Sequence, residues 1–387
     1  MYSFHLSQFT LITICISIFL LSPLSLASPK PHPFKKVYVF GDSYTDTGSG
    51  NSSTGPSIFR HVSSLPYGET FFRRPTNRYS DGRVFIDFVA ESLNLPYFPP
   101  YLNKSSDTTH GVNFAVSGCT AIPYPFFVKN NLTSNIIPQS LPTQLTWFKD
   151  FIKGSGCNDA VSTPAECKAV FDGALVWVGE ISANDYNYVY GSHVTSKTVQ
   201  KLAIKYQTRF MKEILKMGAK YVVVQGLPAT GCFPLSLVAL APPTDRDEMG
   251  CVATKNKESY DHNVVLQAKL RSLRKEFPAT VIVYGDDWHA YREVYGNPAK
   301  YGFTERFKAC CGVKDGAYDF NPMCTCGAPG TSSCKNPARY MNWDGLHVTE
   351  GLNRATSRLF LGGAFAQPPF PVRVSGCIEE AKCDKVE

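Results

Sequence analysis

Ser43 stands in the run Val37-Tyr-Val-Phe-Gly-Asp-Ser-Tyr-Thr-Asp-Thr-Gly48, where four apolar, strand-forming residues lead into Gly41-Asp42-Ser43. A strand that stops at a Gly and shows a Ser in the turn beyond it sets a hydroxyl at the carboxyl edge of a parallel sheet. Open α/β folds bind ligands at that edge. Alone the tripeptide is a weak signal, since a Ser after a strand is more often a cap or turn residue. A hydroxyl becomes a nucleophile only with a base beside it. Asp344-Gly-Leu-His347 offers one: a carboxylate three residues before a His accepts from one ring N–H, fixes the tautomer and leaves the other nitrogen to face the hydroxyl. Asp286-Asp-Trp-His289 repeats the spacing, so spacing alone does not choose between the two imidazoles.

The elements that must position these groups follow from periodicity. Apolar runs predict strands over 37–40, 111–116, 174–179, 221–226 and 280–286, and spacings of three and four predict helices over 84–93, 140–153, 198–217, 263–277 and 351–361. Strands alternating with helices along the whole chain mean an α/β fold, one parallel sheet with helices on both faces. The Gly-, Ser- and Pro-rich stretch 49–80 reads as a long surface excursion, of a kind that is functional when ordered. The aromatic segment 122–127 either lines a pocket or covers core, and 309–339 reads as loop. Gly118 ends the second strand run, where a glycine N–H can approach a ligand in the same crevice as Ser43.

Composition bounds the setting. The chain has 387 residues, 43% hydrophobic and 18% charged, which places it among globular proteins. Residues 1–27 contain no Lys, Arg, Asp or Glu; an apolar run over 11–21 and the small residues Ser25-Leu26-Ala27 predict a secretory signal peptide cleaved after Ala27. The run is too short to span a bilayer comfortably, and no second one exists, so stable membrane insertion is not expected. No linker or repeat divides the remainder, and residues 28–387 are read as one domain and a monomer.

Of the 13 cysteines, 12 lie beyond the signal, an even number that reads as disulfides in a secreted chain. Cys157 with Cys167 and Cys232 with Cys251 each bracket a loop that a bridge would staple, while the cluster from Cys310 to Cys334 leaves its pairing open. An oxidising compartment argues against a zinc site there, and no metal is expected. The sequons at Asn51, Asn103 and Asn131 fit N-glycosylation and secretion. The net charge of +7 is scattered in short runs, not gathered in a patch, so nucleic acid is not an expected partner.

Four separated blocks then fall into one pattern: Phe40-Gly-Asp-Ser-Tyr-Thr-Asp-Thr-Gly48, Gly111-Val-Asn-Phe-Ala-Val-Ser-Gly118, Gly179-Glu-Ile-Ser-Ala-Asn-Asp-Tyr186 and Trp343-Asp-Gly-Leu-His-Val-Thr-Glu350. With Gly226-Leu-Pro-Ala-Thr-Gly-Cys232 and Ala309-Cys-Cys-Gly312 in support, the chain resembles the plant-type GDSL esterase/lipase family of the SGNH hydrolases over essentially its whole mature length. The resemblance implies a three-layer α/β/α sandwich with a flavodoxin-like sheet and no cofactor. It makes Ser43 the nucleophile, His347 the general base and Asp344 the residue that orients the imidazole. It builds the oxyanion hole from the N–H groups of Ser43 and Gly118 and the side-chain amide of Asn184, and leaves His289 structural or pocket-lining. Three positions depart from the pattern: Ser182-Ala183 where Gly-Gly usually precedes the Asn, Cys119 beside the oxyanion glycine, and Ser49-Gly50 before Asn51. No Gly-x-Ser-x-Gly elbow occurs, which speaks against the α/β-hydrolase fold.

The expected activity is a secreted serine esterase acting on a small or medium ester in the apoplast, with the vacuole as the other destination. One rival is an acyltransferase of plant secondary metabolism, in which an alcohol replaces water as acceptor. The other is a catalytically silent cell-wall-binding protein, against which the intact Ser43, Asp344 and His347 set speaks.

Overall fold

The computed structural model describes residues 34–370 apart from 53–60, 135, 155–156, 158–163 and 315. The expected signal segment 1–27, Cys377 and Cys383 lie outside the described residues. Five parallel strands form the sheet: β1 (Lys36–Phe40), β2 (Gly111–Asn113), β3 (Ala174–Val178), β4 (Tyr221–Gln225) and β5 (Val281–Gly285). A two-residue strand, β6 (Ala366–Gln367), adds antiparallel to β5. The order across the sheet is β6-β5-β4-β3-β1-β2. Without the edge strand this is the 2-1-3-4-5 order of flavodoxin-like sheets, and its direction of winding reverses between β1 and β3.

Burial on both faces explains why these strands read as continuous apolar runs. Val37, Val39, Leu175, Trp177, Val223 and Val283 point to one side, where they meet α1 (Phe85–Ser92) and α7 (Glu350–Leu361). Tyr38, Phe40, Val176, Val178, Val222, Val224 and Tyr284 point to the other, beneath α2 (Leu141–Lys153), α4 (Ser196–Lys216) and α5 (Ala253–Glu276). Each layer has an aromatic anchor: Trp177 lies 5.3 Å from Phe360, and Phe40 lies 4.9 Å from Phe210. The remaining helices used below are α3 (Ala183–Val189) and α6 (Asp287–Gly296).

The structure differs from the sequence reading in places. Strand β2 ends at Asn113, not at 116. The Asn113 amide donates to the Thr45 carbonyl at 2.7 Å and its oxygen accepts from the Ala115 N–H at 2.9 Å, while the N–H groups of Phe114 and Val116 still reach the Val39 and Gly41 carbonyls at 2.7 and 3.3 Å. Helix α5 starts at Ala253, not 263, because its first turns bury Asn256, Ser259 and His262, polar residues that break the apolar period. Residues 124–129 are helical and bury Phe127 in the core, so that segment covers core. The sequon residues Asn103 and Asn131 are exposed, and Asn51 falls in the 3-10 turn Ser49–Ser52. No helix among the described residues is long and apolar enough to cross a membrane.

Four disulfides are present among the described residues. Cys157–Cys167 and Cys232–Cys251 are the two stapled loops anticipated, and Cys310–Cys334 and Cys311–Cys326 resolve the open cluster. Cys119 and Cys324 are free thiols, so the even count does not translate into complete pairing among the described residues. The 309–339 stretch is not bare loop: Cys311–Gly312 pairs antiparallel with Ser332–Ser333. Its cysteines hold the next segment as well, since the N–H groups of Cys310 and Cys311 donate to the carbonyls of Asn342 and Trp343 at 3.0 and 2.6 Å. Asp344 follows directly. Replacing Cys311 and Cys326 together by Ser is therefore expected to cost about 3 kcal/mol, the loop-closure term for a loop of this size. Thermal unfolding of the variant reads that loss, and a parallel fall in ester turnover is expected because the Asp344 loop hangs from this staple.

Candidate active site

The carboxyl ends of β1 and β3 approach so closely that only glycine fits between them. A Cβ on Gly179 would stand 2.0 Å from Thr45 Oγ1, and one on Gly41, whose φ is +146°, would stand 3.0 Å from the same atom. Gln144 of α2 locks the Gly41 peptide from below, accepting from its N–H at 3.0 Å and donating to its carbonyl at 2.7 Å. The chain then turns: the N–H groups of Thr45 and Asp46 donate to the Asp42 carbonyl at 3.1 and 2.9 Å. Ser43 sits on this turn, at the reversal of the sheet.

His347 and Asp344 reach Ser43 from the far end of the chain. His347 Nε2 lies 2.7 Å from Ser43 Oγ, and its Nδ1 lies 2.8 Å from Asp344 Oδ2. Gly345, at φ +95°, lets the intervening turn close against the ring of Phe320. Asp344 Oδ1 also accepts from the backbone N–H groups of His347 and Leu346 at 2.8 and 3.0 Å. Burial alone would raise its carboxyl, but the imidazole and these N–H groups outweigh that and hold it below the ordinary aspartate value. Such a line of hydroxyl, imidazole and carboxylate can move a proton off Ser43 while a carbonyl is attacked. His289 is elsewhere: it is half exposed at the start of α6, where its Nδ1 lies 2.8 Å from Asp286, and it does not line the cleft. Geometry thus separates two Asp–His pairs that spacing could not.

The cleft above Ser43 is lined by Tyr44, Asn184, Thr230, Phe233 and Leu346 among others, with a volume of about 30 Å³. Asn184 lines it from the first turn of α3, and in this state its Nδ2 donates to Asp42 Oδ2 and to the Cys119 carbonyl, each at 3.0 Å. That uses both amide hydrogens, so a further acceptor at this amide would have to displace one of the present two. Gly118 does not line the cleft; it lies in the turn after β2, at φ +78°, with its carbonyl accepting from the Tyr188 hydroxyl at 3.1 Å. Beneath the cleft, burial and the neighbouring Glu180 carboxyl push Asp42 well above its usual value, and burial raises Glu180 too. The two acids stand in hydrogen-bond reach of each other, which favours a proton held between them.

Sequence reasoning missed three residues of the site. Asp46 ties the Ser43 turn to the turn that carries Gly118: its carboxylate accepts from the N–H groups of Gly48, Ser49 and Gly50, and from both the N–H and the hydroxyl of Ser117. Tyr67 donates its buried hydroxyl to Asp344 Oδ2 at 2.8 Å, and the Tyr79 ring lies 4.5 Å from that of His347. Both tyrosines belong to the excursion after β1. The only signal for them was that a long ordered excursion tends to serve a site. A hydrogen bond to a charged group contributes about 1.5–3 kcal/mol, so Tyr67→Phe is expected to lower kcat by about 10-fold or more with KM nearly unchanged. Steady-state kinetics with p-nitrophenyl acetate measure this, and an unaltered kcat would show that the hydroxyl has no part in holding Asp344.

Residues 37–360 match the model of the GDSL-like lipase/acylhydrolase family. A GDSL esterase/lipase of Arabidopsis thaliana is 50% identical over 92% of this chain and 94% of its own. Acetylajmalan esterase of Rauvolfia serpentina is 36% identical over 86% of each chain, and sinapine esterase of Brassica napus is 35% identical over 92% of each. With a winding reversal that brings a serine to the edge of a parallel sheet and a match that runs through its five parallel strands, the chain belongs to the GDSL lipase/acylhydrolase family, and it is a carboxylic ester hydrolase of the GDSL type.

Proposed function

We propose that the protein is a secreted serine esterase that works through an acyl-enzyme on Ser43. The observation that carries this reading is the 2.7 Å contact between His347 Nε2 and Ser43 Oγ, in line with the Asp344 carboxylate. His347 takes the Oγ proton as the oxygen attacks the ester carbonyl, and Asp344 stabilises the imidazolium that forms. The Ser43 N–H and the Asn184 amide, which line the cleft, receive the developing oxyanion, each donor contributing about 3–4 kcal/mol; the Gly118 N–H is the third donor once its turn, tied to Asn184 through the Cys119 carbonyl, moves toward the cleft. The imidazolium then returns its proton to the departing alcohol. Water, with His347 again as base, releases the acid and restores the serine.

The cleft supports an uncharged ester. No Lys or Arg lines it among the described residues, and Phe233, Leu235 and Leu346 give it an apolar wall beside Ser43. The name of one relative, acetylajmalan esterase, fits an acetylated substrate. Secretion is supported by four disulfides and the exposed sequons at Asn103 and Asn131. Removal of residues 1–27 would leave 28–387 as one catalytic domain.

The reading is tested by hydrolysis of p-nitrophenyl esters of increasing acyl length, with and without an added alcohol. Acetyl is expected to be preferred, and free acid to be the main product. His347→Ala is expected to lose nearly all turnover, His289→Ala little. Asn184→Ala is expected to lower kcat by about 100- to 1,000-fold at nearly constant KM. Inactive His289→Ala beside active His347→Ala would reassign the base, and dominant ester exchange onto the alcohol would make the protein an acyltransferase.

A further inference from the structure

Directly before the helix that carries Asn184, the backbone takes a conformation that L residues avoid. Ser182 has φ +128° and ψ −11°, and it is fully buried. Positive φ costs a side-chain-bearing residue but not glycine, and the family pattern has glycine here. A serine at this angle persists only where its surroundings over-determine it. The structure shows what holds it. Gln207, buried on α4, donates from Nε2 to Ser182 Oγ at 2.7 Å and to the Ile181 carbonyl at 3.0 Å. Gln207 is itself backed by His262 of α5, whose Nε2 lies 3.4 Å away and whose Nδ1 lies 3.0 Å from the Tyr186 hydroxyl on α3. Burial pushes the His262 imidazole down to about 3, so the ring stays neutral and supplies one donor and one acceptor. The chain of contacts therefore leaves the start of α3, passes through α4 and α5, and returns to α3 one turn later.

The direction of the Asn184 amide depends on this corner. Only Ala183 separates the strained φ from the proposed oxyanion donor, and a rotation at Ser182 swings the first turn of α3 across the cleft. Other contacts fix the outer side of that turn: Asp185 accepts from the N–H groups of Ala121 and Ile122, each at 2.9 Å, and Glu180 accepts from that of Ala183 at 3.0 Å. The Glu180 bond spans Ser182 and limits its backbone as well, but Gln207 alone among these contacts holds the Ser182 side chain. We propose that Gln207 is a positioning residue for the oxyanion donor: it holds Ser182 at an angle glycine would take freely, and so aims Asn184 at the reacting carbonyl. This rests on the reading of Asn184 given above.

The test compares Gln207→Ala, Ser182→Ala, the double variant Ser182→Gly with Gln207→Ala, and Asn184→Ala, each purified as the full chain and assayed with p-nitrophenyl acetate beside its thermal midpoint. Gln207→Ala is expected to lower kcat by about 10-fold or more at unchanged KM, because a small misplacement of a catalytic group is costly. Ser182→Ala keeps the strain and loses the latch oxygen, so it should show the same loss even if Gln207→Ala does not fold. Adding Ser182→Gly to Gln207→Ala should return most of the lost kcat, since glycine needs no latch. A lowered thermal midpoint with unchanged kcat in both single variants overturns the proposal and leaves Gln207 a packing residue. Failure of the glycine to restore kcat overturns it as well. An impaired Asn184→Ala beside unimpaired latch variants removes the latch alone, whereas unchanged kcat in Asn184→Ala removes the oxyanion reading and this proposal with it.

Discussion

One buried carboxylate makes the site possible. Asp46 is fully enclosed, yet it accepts from three N–H groups of its own turn and from the N–H and hydroxyl of Ser117. A carboxylate out of water is costly unless its lone pairs are filled, and here the donors that fill them come from two separate loops. Satisfying the charge therefore requires the loop after β1 to meet the loop after β2. Burial still raises the carboxyl above its ordinary value, with the N–H groups pulling the other way. The Ser43 turn and the Gly118 turn are consequently one structural unit, although 74 residues of sequence separate their ends at 43 and 117.

The imidazole proposed as the base arrives on a second unit with its own restraints. The Cys310–Cys334 and Cys311–Cys326 bridges fasten the strand that precedes Asp344. From the opposite side the excursion after β1 closes over it: Ser80 donates to the Val348 carbonyl at 3.2 Å, and Asp81 accepts from the Glu350 N–H at 2.7 Å. Tyr67 and Tyr79 ride on that excursion into contact with Asp344 and His347. The imidazole is thus held by packing and hydrogen bonds that do not involve Ser43, which is what a base needs if it is to stay aligned after the proton moves.

Legibility in the sequence followed the physics of each part. Strands β1, β3, β4 and β5 were readable because burial on both faces demands unbroken apolar runs, and Ser43 was readable because it stands at the end of one. The Asp–x–x–His spacing was readable but ambiguous, and only position in the fold separates His347 from His289. Tyr67 was not readable, since its partner is 277 residues away and its own segment carries no period. The first half of α5 was hidden because it buries hydrogen-bonding residues: Asn256 binds the Gly231 N–H at 2.9 Å and Asn263 the Leu227 N–H at 2.8 Å, so polar side chains occupy the inward face. Cys119 belongs to the even count that suggests disulfides, but it is buried against Gln144 and meets no other cysteine among the described residues. The strain at Ser182 left only a trace in the sequence, a serine where the pattern has glycine.

The central claim is that Ser43 becomes acylated with His347 as its base, and rapid acid quench of the enzyme mixed with p-nitrophenyl acetate tests it directly. Peptide mass spectrometry of the quenched protein should find the acetyl group on the Ser43 peptide at near-stoichiometric occupancy, forming in step with the burst of p-nitrophenol, and should find none in His347→Ala on the same time scale. An acetyl group on another residue, or undiminished acetylation of Ser43 without His347, would contradict the account.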